Sequence, residues 1–94
     1  MRLDEKQRYA LEKALEVVNG EVYLFGSRVD DTKTGGDIDI LIFSDEDSFE
    51  LSKKVSVAFF QECEEKIDVL VMNSNNLTQE QEAFLKTIEK VRIK

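Results

Sequence analysis

The order of apolar and polar positions along the chain predicts alternating helices and strands. From Asp4 to Val18, Leu11, Ala14, Leu15 and Val18 recur at helical spacing, and Asp4 with Gln7 forms a capping box at the start. Asn19-Gly20 stops this helix, one of the two being suited to the left-handed position after its C-terminus. Val22 to Phe25 is a β-branched and aromatic run that reads as a strand and breaks off at Gly26-Ser27. A polar loop from Arg28 to Gly36, closed by Gly35-Gly36, leads to a second strand over Asp37 to Phe43. An acidic turn, Ser44 to Ser48, precedes a helix over Phe49 to Cys63 with Leu51, Val55, Ala58 and Phe59 on one stripe. Ile67 to Met72 is a third strand and Asn73 to Asn76 a turn. Thr78 with Gln81 then caps a last helix that turns Phe84, Leu85, Ile88 and Val91 inward. The tail from Val91 to Lys94 alternates apolar and charged residues, so a final edge strand is the other reading of it. Phe59, Phe60, Phe84 and Cys63 are expected in the core.

This order predicts one α/β domain over residues 1–94, a small mixed sheet with flanking helices. Too few residues separate the first two strands for a parallel crossover, which takes a dozen or more, so that pair is expected to be antiparallel. With 94 residues there is room for a single core. No apolar run is long enough to span a bilayer, and the N-terminus has no apolar leader region, so a cytoplasmic protein is expected.

Composition narrows the chemistry. The chain has no His and one Cys, which excludes a Ser-His-Asp triad, a Cys-His pair, a His-ligated zinc site and an internal disulfide. Asp and Glu number 20 against 13 Lys and Arg, a net charge of −7, which argues against a nucleic-acid partner. Proton transfer at neutral pH falls to carboxylates, Lys, Tyr or solvent.

Three local features carry candidate chemistry. Gly26-Ser27 ends a strand, where a glycine permits a sharp turn and close approach of a ligand to exposed N–H groups; an ordinary strand-ending turn reads the same way. In Asp37-Ile38-Asp39-Ile40-Leu41-Ile42, both Asp residues share one strand face while the Ile residues enter the core. Two carboxylates spaced in this way suit a hard cation such as Mg²⁺, unless they are simply the wet face of an edge strand. In Lys66-Ile67-Asp68-Val69-Leu70, one Asp interrupts an apolar run; beside the Asp37 strand it would complete a three-carboxylate cluster, and otherwise it pairs with Lys66 or caps the strand.

Together, Leu24-Phe25-Gly26-Ser27-Arg28, Gly35-Gly36-Asp37-Ile38-Asp39-Ile40-Leu41-Ile42 and Lys66-Ile67-Asp68-Val69-Leu70 resemble the nucleotidyltransferase superfamily with the polymerase β palm fold. The closer resemblance is to the minimal nucleotidyltransferases, small prokaryotic proteins often paired with a HEPN-domain partner. Many relatives carry a second Arg-Gly pair where this chain has Asp30-Asp31. The resemblance implies transfer of AMP from ATP to a hydroxyl, with Asp37, Asp39 and Asp68 as Mg²⁺ ligands and catalytic groups and Asp68 as base. Gly26, Ser27 and Arg28 would bind the nucleotide, with Lys33 a weaker candidate; for Arg28 and Lys33 the other reading is a solvated loop cation or a salt bridge to Asp30 or Asp31. It also implies an antitoxin role toward a HEPN toxin, the AMP being placed on a Tyr. So short a chain is expected to need a partner or an oligomer to complete its site. The rivals are a non-catalytic antitoxin that acts by binding, and a nucleotidyltransferase for a small molecule of the aminoglycoside kind.

Overall fold

A computed structural model describes residues 2–30, 32 and 36–94. Asp31, Lys33 and Gly35, singled out above, lie outside the described residues. The elements are α1 (Glu5–Ala14), β1 (Val22–Phe25), β2 (Ile38–Phe43), α2 (Ser48–Glu62), β3 (Ile67–Met72), α3 (Gln79–Thr87) and β4 (Lys90–Arg92). Short 3₁₀ turns follow α1 at Leu15–Val17 and β1 at Gly26–Val29.

Local sequence accounts for most element ends. The Asp4–Gln7 and Thr78–Gln81 capping boxes both form, and Asp47 accepts from the Glu50 N–H to start α2. After α1 the chain tightens into the 3₁₀ turn and becomes extended at Val18. Neither Asn19 nor Gly20 takes the left-handed cap conformation: Gly20 sits at φ 155°, where a Cβ would collide with the Phe43 carbonyl. The helix therefore ends because the chain must pass close beside β2. Lys94 instead supplies the missing partners, its Nζ donating to the Leu15 and Val18 carbonyls at 2.5 and 2.6 Å.

The four strands form one mixed sheet in the order β3-β2-β1-β4. β1 runs antiparallel to both β2 and β4, as its short connection requires, while β2 and β3 are parallel through the α2 crossover. The alternation of side chains splits the sheet into two faces. Val22, Leu24, Ile38, Ile40, Ile42, Ile67 and Val71 face α1 and α2, whose Leu11, Ala14, Leu51, Val55 and Phe59 complete the main core. Tyr23, Phe25, Asp39, Leu41 and Phe43 face the other way. There Tyr23 meets Phe43 and Phe25 meets Phe84 of α3 edge to face, with ring centroids 5.7 and 5.8 Å apart.

Two core expectations are corrected. Phe60 is 54% exposed, because one residue is a 100° rotation on a helix and Phe59 takes the sheet-facing position. Val91 belongs to β4 rather than to the last helix, and α3 buries none of its residues fully. No helix among the described residues is long and apolar enough to cross a membrane.

This division at positions 59 and 60 predicts a sharp contrast. Phe59→Ala is expected to cost about 3–5 kcal/mol by opening a core cavity, whereas Phe60→Ser is expected to leave stability within about 0.5 kcal/mol. Urea unfolding of the two variants checks this.

Candidate nucleotide site

The three sequence features meet at one edge of the sheet, where β1 ends and β2 and β3 begin. The register places Asp39 opposite Phe25 on one side and opposite Asp68 on the other. Asp39 thus lies on a central strand, which removes the edge-strand reading of Asp37-x-Asp39. Asp37 precedes β2 by one residue and is exposed. Asp68 is exposed as well: its strand is the sheet's outer one, so the apolar run around it is not buried on both sides as the sequence suggested.

The carboxylates are electrostatically coupled. Asp39 holds its proton more tightly than an ordinary Asp, first because it is partly withdrawn from water, then because Asp68 and Asp37 add negative charge, and further through a hydrogen bond with Asp68. The partial withdrawal follows from position, since its cross-strand neighbour Phe25 is stacked on Phe84. Nothing local signals this aromatic pair beyond Phe25 standing next to Gly26.

Two glycines set the turn against these acids. Gly26 has φ 77°, and a Cβ on it would lie 2.5 Å from Asp39 Oδ2. Gly36 has φ 86°, and a Cβ there would collide with Ser27 Oγ. Both positions need the left-handed region and open space at once, which only glycine supplies. The result is a Gly26–Val29 turn whose backbone passes directly beside the Asp39 carboxylate, with Ser27 packed on the residue that leads into β2.

Arg28 is held by the protein through two of its three guanidinium nitrogens. Its Nε donates to the Gly36 carbonyl at 3.0 Å, and its Nη1 donates to the Arg2 carbonyl at 3.0 Å and to Gln7 Oε1 at 3.1 Å. The guanidinium fork is part of the frame that holds the turn. Arg2 wraps the same turn, its Nη2 donating to the Ser27 carbonyl at 2.9 Å and its Nε to the Asp30 carbonyl at 3.0 Å.

Residues 7–90 match the family described as polymerase beta, nucleotidyltransferase. The chain belongs to that family. Among the described residues, a four-stranded mixed sheet with three α-helices is consistent with a nucleotidyltransferase fold, and nucleotidyltransferase is the activity the family carries. A comparison with curated proteins finds no match.

Nucleotidyltransferases generally use a nucleoside triphosphate with Mg²⁺. Among the described residues, no three His, Cys, Asp or Glu side chains are gathered closely enough to hold a metal ion as they stand. The donor chemistry nevertheless fits one. Asp39 and Asp68 offer hard oxygen ligands side by side, and the negative charge that Asp68 and Asp37 place beside Asp39 is of the sign a cation would offset.

Two outcomes follow. A carboxyl that binds its proton more tightly folded than unfolded stabilises the fold while protonated and loses that contribution as pH rises through its folded-state value. In a chelator at neutral pH, Asp39→Asn is therefore expected to raise the Tm by about 2–4 °C, and the gain should vanish below the ordinary value of 3.8. Calorimetry across pH reads both. Gly26→Ala should cost about 1–2 kcal/mol from backbone conformation alone, and should displace the Asp39 carboxylate, measurable as a chemical-shift change at Asp39.

Proposed function

We propose that the chain moves AMP from ATP to a hydroxyl on a partner protein, a Tyr of a HEPN-type toxin, and so acts as an antitoxin. One observation carries the catalytic part: Asp39 and Asp68 stand side by side, with the Gly26-Ser27 turn backed directly onto Asp39. The nature of the acceptor rests on the resemblance of the Gly-Ser and Asp-x-Asp segments to minimal nucleotidyltransferases. An exposed Asp68 on the outer strand suits an acceptor brought by a second chain. A homo-oligomer is the other way to cover this edge.

In this reading the N–H groups of the Gly26–Val29 turn and the Ser27 hydroxyl bind the β- and γ-phosphates. Asp37, Asp39 and Asp68 would hold Mg²⁺, which when bound neutralises phosphate charge and aligns the attacking and leaving oxygens. Asp68 takes the proton of the acceptor hydroxyl. The acceptor oxygen bonds to the α-phosphorus, the bond from that phosphorus to the bridging oxygen breaks, and pyrophosphate leaves. Asp39, shielded by Phe25 and Phe84, faces the nucleotide side, and water-exposed Asp68 faces the incoming acceptor. With no His in the chain, a carboxylate is the base at hand.

The test is incubation of the chain with its candidate partner, Mg²⁺ and α-labelled ATP. Label is expected on the partner. Asp68→Asn is expected to lower kcat about 10²–10⁴-fold, the usual worth of a positioned base, and Asp37→Ala to remove labelling. Label confined to small molecules overturns the protein acceptor. Full neutralisation of the partner by Asp37→Ala overturns catalysis as the mechanism.

A further inference from the structure

The least expected side chain in the molecule is Gln7. It is a buried amide, 4% exposed, and it lies far from the acidic cluster in sequence. A capping box needs only that its Oε1 accept from the Asp4 N–H, which it does at 3.1 Å. The same oxygen also accepts from Arg28 Nη1 at 3.1 Å, and its Nε2 donates to Glu65 Oε1 and Oε2 at 3.0 and 3.3 Å. Glu65 in turn accepts from Cys63 Sγ at 3.1 Å. Every polar atom of this side chain is used, so the amide has one orientation.

That orientation fixes Arg28, and Arg28 fixes the turn. Its Nε grips the carbonyl of Gly36, the residue that packs on Ser27 and sets where β2 and its acids begin. A planar fork held at three acceptors cannot rotate without breaking bonds. From this chain of contacts we infer that Gln7 and Arg28 are positioning residues for the phosphate-binding turn. They act by locking Gly36 and Ser27 in register rather than by touching phosphate. The inference rests on the reading of Gly26–Val29 as the phosphate-binding element.

The consequence is a loss in nucleotide binding rather than in the chemical step. Gln7→Ala and Arg28→Lys should each raise the KM for ATP about tenfold with kcat within about twofold, the signature of lost binding common to ground and transition states. Because both act through one contact, the double variant should lose no more than the worse single one. Exchanging donor and acceptor, Gln7→Glu with Glu65→Gln, keeps an oxygen for Arg28 and an amide for the neighbouring carboxylate, and should restore the KM. Amide hydrogen exchange needs no nucleotide: the Asp30 N–H, bonded to the Ser27 carbonyl at 3.2 Å, should exchange faster in Gln7→Ala and regain protection in the exchanged pair. Unchanged exchange at Asp30, additive losses in the double variant, or a KM that stays put while the Tm falls would each overturn the positioning role. If the unmodified chain turns over no ATP, the functional reading fails, and the exchange measurement still decides whether Gln7 orders the turn.

Discussion

Two like charges on neighbouring strands are the constraint around which this small fold is arranged. Two unit charges 4 Å apart cost about 4 kcal/mol at an effective dielectric near 20, a large share of the roughly 5–15 kcal/mol that holds a domain together. Asp39 and Asp68 are register partners on β2 and β3, and the charge of Asp68 adds to the repulsion at Asp39. The chain meets this cost in two ways. Asp68 lies on the outer strand, where water screens it, and Asp39 answers with a raised affinity for a proton. The parallel pairing that brings them together requires a crossover, and α2 supplies it. Its apolar stripe of Leu51, Val55 and Phe59 must then be buried against the opposite face of the sheet. The greasy side of the molecule is thus the support that lets the charged side exist.

The glycines and the cationic frame solve the complementary problem of bringing a donor-rich turn close to an acidic wall. A side chain at Gly26 would occupy the space beside Asp39 Oδ2, and one at Gly36 would occupy the space taken by Ser27. Removing both leaves a loose backbone, since glycine gives up the most conformational freedom on ordering. Arg2 supplies order from outside the turn by donating to the Ser27 carbonyl and to the neighbouring Asp30 carbonyl, while Arg28, within the turn, donates to the Gly36 and Arg2 carbonyls and to Gln7 Oε1. Their hydrogen bonds go to carbonyl oxygens, which leaves N–H groups, not oxygens, as the turn's chemistry for an anion.

The features legible in the sequence are those set by neighbours along the chain. The capping boxes depend on residues three apart, and the Val22–Phe25 and Ile67–Met72 strands on dense β-branched runs. The antiparallel β1–β2 pair followed from the length of its connection. The Asp-x-Asp face followed from strand alternation. What escaped depends on partners far apart in sequence. Phe60 and Phe59 look alike until α2 is docked, and only docking decides which faces the sheet. Arg28 reads locally as a loop cation, and its bonds to Gly36, Arg2 and Gln7 depend on partners outside its own turn. Gln7 looks complete as a capping residue, and nothing local signals that the same oxygen serves a second donor.

The two central acids differ in ways that bear on how they divide the proposed reaction. Asp39 is flanked by the Phe25–Phe84 pair on one side and by Asp68 on the other, and the turn of Gly26 closes over it. A group so flanked is less open than Asp68, and partial burial together with the neighbouring negative charge disfavours its ionisation. Asp68 has the opposite character, exposed on the outermost strand. In the proposed reaction the outer edge is the approach that suits a hydroxyl carried on another macromolecule, since Asp68 is exposed there while Phe25, Asp39's neighbour on β1, packs against Phe84. Within the proposed reaction, this strand order suits the inner acid to the nucleotide and its cation and the outer acid to the attacking group.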